Sequence, residues 1–322
     1  MNAAMTAIFQ PAAATNAQTL TTTQVHQKLQ ALLQPLGAVA DIDTVTLPDA
    51  LDRVLAADVI CPVNVPPHDN SAMDGYAFAG SELKSVQPNQ RLTLRVVGTA
   101  LAGAPWHGHL AAGECVKIMT GAVMPEGLDT VVPHEQVTVS DAFVELDASN
   151  VPAGANRRLR GEDLQQGSVA LPAGQRLTPA ALGLLASLGL GQVSVRRRLC
   201  VAYFSTGDEL LNPGDAPREG AIYDSNRFSL QALLRRMGAK VLDLGAIPDE
   251  PAALQERLSQ AASLADVVLT SGGISAGEAD HTRAMLQNMG RVEFWHIAMR
   301  PGRPLAVGLL APVAANSHSE SA

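Results

Sequence analysis

The spacing of hydrophobic and polar residues changes character along this chain. Near the start, Val25, Leu29, Leu32 and Leu33 fall on one face of a 3.6-residue period. That predicts a helix over residues 24–34, behind the cap candidates Thr21, Thr22 and Thr23. A second, short helix is expected around residues 48–55, followed by a segment crowded with turn formers, VNVPPHDNSAMDGYAF at 63–78. From 92 to 146, short apolar runs (LTLRVVG, CVKIM, TVVPHEQVTV, FVEL) are punctuated by Gly and Pro, the pattern of a small β domain. Residues 151–176 are polar and loop-rich around Arg157, Arg158 and Arg160. Thr178-Pro179 then opens a helix that Gly189 and Gly191 end.

From Leu199 onward the chain alternates strand and helix. LCVAYF, KVLDLGAI, DVVLTS, VEFWHIAM and PLAVGLL read as strands; helices are expected at 227–237, from Pro251 and after Asp280. This is an α/β pattern of the doubly wound, parallel kind. An unusual polar stretch follows each of the first four strands: STGDEL at 205–210, PDE at 248–250, SGGISAGEAD at 271–280 and RPGRP at 300–304. In open α/β sheets the carboxyl ends of the strands converge on the ligand crevice, so these four loops are expected to meet.

Their chemistry suits a phosphorylated ligand. Gly272, Gly273 and Gly277 let backbone N–H groups approach an anion. Asp208, Glu209, Asp249 and Asp280 offer hard oxygen donors for a cation such as Mg²⁺. Arg300 and Arg303 present fork-shaped donors to an oxyanion. STGDEL reads equally well as a plain turn. No G-x-x-x-x-G-K-[ST], no G-x-G-x-x-G behind a strand and no G-x-S-x-G occurs. These absences argue against a P-loop ATPase, an ordinary NAD enzyme and a serine hydrolase.

Length and composition narrow the class. The 322 residues suit two or three domains at about 150 residues each. Acidic residues outnumber basic ones by 31 to 23, a net charge of −8 that disfavours a general nucleic-acid binder. Apolar residues make up 47%, enough for a sizeable core, yet no run reaches the ~18 apolar residues of a membrane helix. Cys61, Cys115 and Cys200 lie far apart, as buried or inert thiols of a reducing compartment do. His68, His107, His109 and His134 lack the close spacing of a zinc site. Phe294 and Trp295 read as core, and Arg196-Arg197-Arg198 as a solvated run. Residues 1–21, without Lys or Arg, read as a flexible tail in a cytoplasmic protein.

DNSAMDGYA (69–77), IMTGAVMPEGLDTVV (118–132), NRRLRGEDLQQG (156–167), STGDEL, SGGISAGEAD and RPGRPLAVG occur in one order that resembles the molybdopterin molybdenumtransferases, the MoeA and gephyrin E-domain family. The resemblance runs from about residue 22 to 308. It implies an α/β plus β multidomain fold with three parts. An elongated α+β linker domain takes 22–60 and 150–195, an inserted small β domain takes 61–149, and an α/β three-layer molybdopterin-binding domain takes 196–310. The family's C-terminal β domain is expected to be absent, leaving 311–322 as a tail.

The resemblance further implies a homodimer that inserts molybdenum from molybdate into molybdopterin adenylate, with Mg²⁺ and release of AMP. A molybdopterin adenylyltransferase is an implied partner; no nucleic acid or membrane is. Carried over by position, catalytic roles fall to Asp69 and Thr120, given by the inserted domain of the other subunit, and to Glu209, Asp249 and Asp280, the last three also as Mg²⁺ ligands. Ser205, Thr206, Gly207, Asp208 and Asp224 would line the ligand cleft together with Ser271, Gly272 and Gly273. Ser275, Arg300 and Arg303 would approach molybdate or phosphate, with Arg where many members have Lys. Asp69 and Asp74 also suit Asx-turns, Thr120 the start of a turn, and Asp163 a hold on the Arg160 loop. A dimeric cofactor-binding or scaffolding homologue without turnover is the alternative reading.

Overall fold

The computed structural model describes residues 5–9, 19–87, 90–272, 285–299 and 304–310. Asp280, Gly273, Ser275, Arg300 and Arg303, and with them most of two of the four expected loops, lie outside these residues. The chain forms two compact units, one of Met1–Asp43 with Val195–Ala322 and one of Thr44–Ser194.

The chain begins with two strands, β1 (Met5–Phe9) and β2 (Thr19–Leu20), where a flexible tail was expected. β1 lies between two later strands and takes up hydrogen-bonding groups that would otherwise be unpaired on both. Helix α1 (Thr22–Leu33) starts at a capping box: Thr21 Oγ1 accepts from the Gln24 N–H, and Gln24 Oε1 accepts from the Thr21 N–H at 2.9 Å.

The second unit is built on a six-stranded sheet made of β3 (Gly75–Phe78), β4 (Arg91–Ala100), β5 (Glu114–Ile118), β6 (Thr130–Pro133), β7 (Val137–Ser140) and β8 (Phe143–Asp147). Its order is β7-β8-β4-β5-β3-β6, and β4 with β5 is its one parallel pair. Period-2 alternation supplies both faces. Tyr76, Phe78, Leu94, Cys115 and Val144 pack on one side; Ala77, Val116, Ile118 and Val131 pack on the other. The second helix expected near 48–55 is only the 3₁₀ turn Pro48–Ala50. Helix α2 (Pro179–Ser187) follows cap-then-proline logic, with Thr178 Oγ1 accepting from the Ala181 N–H at 3.2 Å.

Back in the first unit, the chain adds β9 (Cys200–Thr206), α3 (Ser225–Arg236), β10 (Lys240–Ile247), α4 (Pro251–Leu264), β11 (Val267–Ser271), β12 (Gly290–Ile297) and β13 (Pro304–Leu310). The sheet order is β10-β9-β11-β1-β13-β12-β2. The strands β10, β9, β11 and β1 are mutually parallel, and residues 201–206 of β9 are buried throughout, as a strand covered on both faces must be. One strand departs from the all-parallel expectation: β13 runs antiparallel to β1, and β12 and β13 are antiparallel to each other. The short segment between them cannot supply the crossover a parallel pair requires. Leu254, Leu258 and Ala261 of α4 pack on Ala202, Phe204 and Val268. Trp295 joins Leu20, Val25, Ile297 and Val307 in a second core. Each buried Leu, Ile, Val or Phe among these contributes about 1.5–3 kcal/mol.

The arginine run is not simply solvated. Arg197 donates from Nη1 and Nη2 to the two oxygens of Asp266, both at 2.9 Å, and from Nε to Asp41 at 2.9 Å. Among the described residues, no helix is long and apolar enough to cross a membrane.

Candidate functional site

In the parallel row β10-β9-β11, the ends of the strands carry 247–250, 206–209 and 271–272 side by side. The chain leaves β9 through Gly207, at φ +145°, where a Cβ would collide with the Glu209 carboxylate. The positive φ favours glycine here, and a larger residue would also have to displace the flexible Glu209 side chain. The Gly207 N–H donates to Ile247 O at 3.2 Å, and the Asp249 N–H donates to Asp208 Oδ1 at 3.4 Å. Asp208 and Asp249 are thus brought together; Arg218 donates to Asp208 O at 2.7 Å.

The two faces of β9 differ. On one, Ser205, Tyr203 and the register partner Ser271 meet. Tyr203 Oη lies 2.5 Å from Ser271 Oγ and 3.2 Å from Ser205 Oγ, and Ser205 donates to Asp224 Oδ2 at 2.5 Å. Asp224 caps α3 with its other oxygen, which accepts from the Arg227 N–H at 3.1 Å. Arg227 in turn clamps Asp243 through Nε and Nη2 and donates to Asn212 Oδ1. On the other face, Thr206 Oγ1 and Thr270 Oγ1 are buried and, among the described residues, have no hydrogen-bond partner. Gly272, at φ +85°, lies against Thr206; a Cβ there would collide with the Thr206 carbonyl oxygen.

Asp69 and Thr120 belong to the second unit. Asp69 Oδ1 accepts from the Arg160 N–H at 2.8 Å, and Oδ2 lies 3.6 Å from Arg157 Nη1. Thr120 donates its N–H and its hydroxyl to Asp74. Asp163 holds Arg158, with both oxygens 2.7 Å from Nη2. Among the described residues, no three His, Cys, Asp or Glu side chains are grouped to hold a metal ion.

Tyr203, Asp243 and Arg227 did not emerge from the motifs. The only trace of Tyr203 was a phenol inside the otherwise apolar run LCVAYF, a residue type whose hydroxyl requires a partner when buried.

Parallel strands whose ends carry glycine-, serine- and carboxylate-bearing loops define an α/β protein of the class that binds ligands at its strand termini. Comparison with known proteins narrows this class. Residues 21–189 match the family described as "MoeA N-terminal region (domain I and II)", and 202–319 match "Probable molybdopterin binding domain". The molybdopterin molybdenumtransferase of Haemophilus influenzae is 44% identical over 295 residues, covering 90% of this chain and 70% of that protein. That of a Nostoc species is 38% identical over 277 residues, covering 86% of this chain; the chain spans 63% of that relative's length. The crystal structure of a molybdopterin biosynthesis MoeA protein from Pyrococcus horikoshii OT3 matches with a TM-score of 0.76 at 26% identity, covering 90% of this chain and 72% of that one. The chain belongs to the molybdopterin molybdenumtransferase family, transferases of molybdenum cofactor biosynthesis.

Proposed function

We propose that this chain inserts molybdenum from molybdate into molybdopterin adenylate, with Mg²⁺, and releases AMP. The observation that carries this reading is the adjacency of 206–209, 247–250 and 271–272 on neighbouring parallel strands. It places carboxylates beside glycine backbone, the pairing a phosphorylated ligand with a counter-cation calls for.

Mg²⁺ fits the donors at these strand ends. Asp208, Glu209 and Asp249 are hard oxygen ligands, two of them already joined by a hydrogen bond. Glu209 and Asp249, with Asp280, would hold the ion. When bound, it supplies neutralisation of charge at the phosphoanhydride. The chain's own groups do the remaining work. Backbone N–H groups around Gly207 and Gly272 take phosphate oxygens, with Thr206 and Gly273 beside them. Asp224 fixes Ser205. Ser275, Arg300 and Arg303 bring the oxyanion within reach.

The same reading makes the protein a cytoplasmic homodimer in which Asp69 and Thr120 come from the second copy, with its substrate supplied by a molybdopterin adenylyltransferase. It divides the chain into 22–60 with 150–195, 61–149 and 196–310. Support for that division comes from the sheets: β3 to β8 all lie within 61–149, and β9 to β13 within 196–310.

The test is AMP release from molybdopterin adenylate by the purified chain with Mg²⁺, with and without molybdate. Molybdate-stimulated release is expected, reduced by Glu209→Ala and by Asp249→Ala. No release under either condition, or release indifferent to both substitutions, overturns the reading.

A further inference from the structure

Counting hydrogens along the α3 side of the strand ends gives the site a polarity. Among the described residues, Ser271, Tyr203, Ser205 and Asp224 form an unbranched row with successive contacts of 2.5, 3.2 and 2.5 Å. Each hydroxyl has one hydrogen. The Asp224 carboxylate has none to give: it accepts from Ser205 at Oδ2 and from the Arg227 N–H at Oδ1. The Ser205 hydrogen is therefore committed to Asp224. The Ser205–Tyr203 contact is then a hydrogen bond only if Tyr203 donates, and Tyr203, its hydrogen used, accepts from Ser271.

The opposite choice, Tyr203 donating to Ser271, leaves two oxygens facing each other at 3.2 Å with no hydrogen between them. Tyr203 and Ser205 are both 0% exposed, so water cannot repair that loss. Burial pushes the Tyr203 phenol up from its ordinary value, so around neutral pH it keeps the hydrogen this row requires.

We infer that the row is directional, Ser271 to Tyr203 to Ser205 to Asp224, and that Ser271 therefore meets ligand as a hydrogen-bond acceptor, selecting an N–H or O–H group rather than an oxyanion. This rests on the proposed molybdopterin adenylate site and refines it. Anionic oxygens of phosphate and molybdate go to backbone N–H groups and cations; half-buried Ser271 Oγ takes a hydroxyl or amine of the nucleoside or pterin part. Tyr203 is a positioning residue, acting through Ser271.

Two measurements on the full chain separate this inference from the reading beneath it. The first needs no ligand. The Tyr203 hydroxyl proton, assigned by its loss in Tyr203→Phe, is expected to show its strong NMR cross-relaxation to the Ser205 methylene; cross-relaxation to the Ser271 methylene instead overturns the direction. The second is titration with AMP and, separately, with inorganic molybdate. Ser271→Ala is expected to weaken AMP binding by roughly two- to tenfold while molybdate binding stays within about twofold. Tyr203→Phe, which returns a free hydrogen to Ser271, is expected to weaken AMP and tighten molybdate. If Ser271→Ala weakens molybdate instead, or leaves AMP unchanged, the acceptor role is wrong. If the unaltered chain binds neither probe, the functional reading and the acceptor role both fall, and the cross-relaxation result alone decides the direction of the row.

Discussion

The Asp74 carboxylate captures both hydrogens that Thr120 can offer: Oδ1 accepts from the Thr120 hydroxyl at 2.6 Å and from its N–H at 2.7 Å. These two bonds, the hydroxyl's first, hold the Asp74 carboxyl below the ordinary carboxylate range. A group depressed in this way keeps its contact above its unfolded value near ~3.9 and loses it as pH falls through the folded value. If Thr120 works in the site, Asp74→Ala is expected to lower AMP release by up to about a hundredfold through misplacement. Asp74→Asn, which retains an acceptor oxygen, is expected to restore most of it. The Asp74 contribution should also stay flat from about pH 8 to about pH 5. Full activity in Asp74→Ala would show that Thr120 needs no such hold.

Arg197 carries a stability prediction. Its fork meets both oxygens of Asp266, and one of those oxygens also accepts from the Cys200 N–H at 2.7 Å, so one ion pair fixes the start of β9. The pair is mostly buried, at 28% and 17% side-chain exposure. Arg197→Ala is expected to cost about 1–3 kcal/mol in urea unfolding, and Arg197→Lys part of that, since a point charge cannot reproduce the fork. The Arg197 hydrogen bonds hold the Asp266 carboxyl below its usual range despite burial. Its contribution is therefore present above about pH 4 and lost below, as pH falls through the folded value. The difference between the original chain and Asp266→Asn should be constant from pH 8 to 5 and shrink in acid; growth in acid would refute the pairing.

The three thiols should separate by accessibility. Cys61 and Cys115 are 2% and 0% exposed, and burial pushes the Cys115 thiol up to about 12. Cys200 is half-buried, its Sγ donating to Leu264 O at 3.7 Å. The thiolate is the reactive form. A disulfide reagent is expected to label Cys200 first in the folded protein and all three in denaturant. Rapid loss of the Cys115 thiol without unfolding would contradict this burial.

Much of this was legible in advance, for reasons that differ by element. The helix signals at Thr178-Pro179 and Thr21 worked because a cap is local chemistry: the side chain and the N–H it accepts from lie three residues apart. Of the strand-end loops, 206–209, 247–250 and 271–272 were legible as neighbours, because strand order in a parallel α/β pattern brings the carboxyl ends of its strands together. Met5–Phe9 was not legible: its place is set by partners at 267–271 and 305–309, and nothing local announces a strand paired over such a distance. Tyr203 was hidden for the same reason, since its partner Ser271 lies 68 positions away; Asp74, which suits a local Asx-turn, is instead bound to Thr120, 46 positions on. The antiparallel β12 and β13 turned on the length of a connection, a feature that hydrophobic periodicity does not encode.

Two glycines with one backbone angle isolate the role of close approach at the strand ends. Gly272 and Gly238 both have φ +85°, so alanine is strained equally at either. A Cβ at Gly238 would have nothing within 4 Å, whereas at Gly272 it would strike the Thr206 carbonyl oxygen and come within 2.9 Å of Thr206 Oγ1. Gly238→Ala is therefore expected to cost only the left-handed conformation, about 1–2 kcal/mol, with AMP release unchanged. Gly272→Ala must in addition part β9 from β11 at their ends, displacing backbone rather than a flexible side chain. It is expected to lower Tm further than Gly238→Ala and to reduce AMP release about tenfold or more. Thermal unfolding of the two variants side by side, with the release assay on each, decides the matter. Equal losses at both positions would mean that the contact between Gly272 and Thr206 does not position the site.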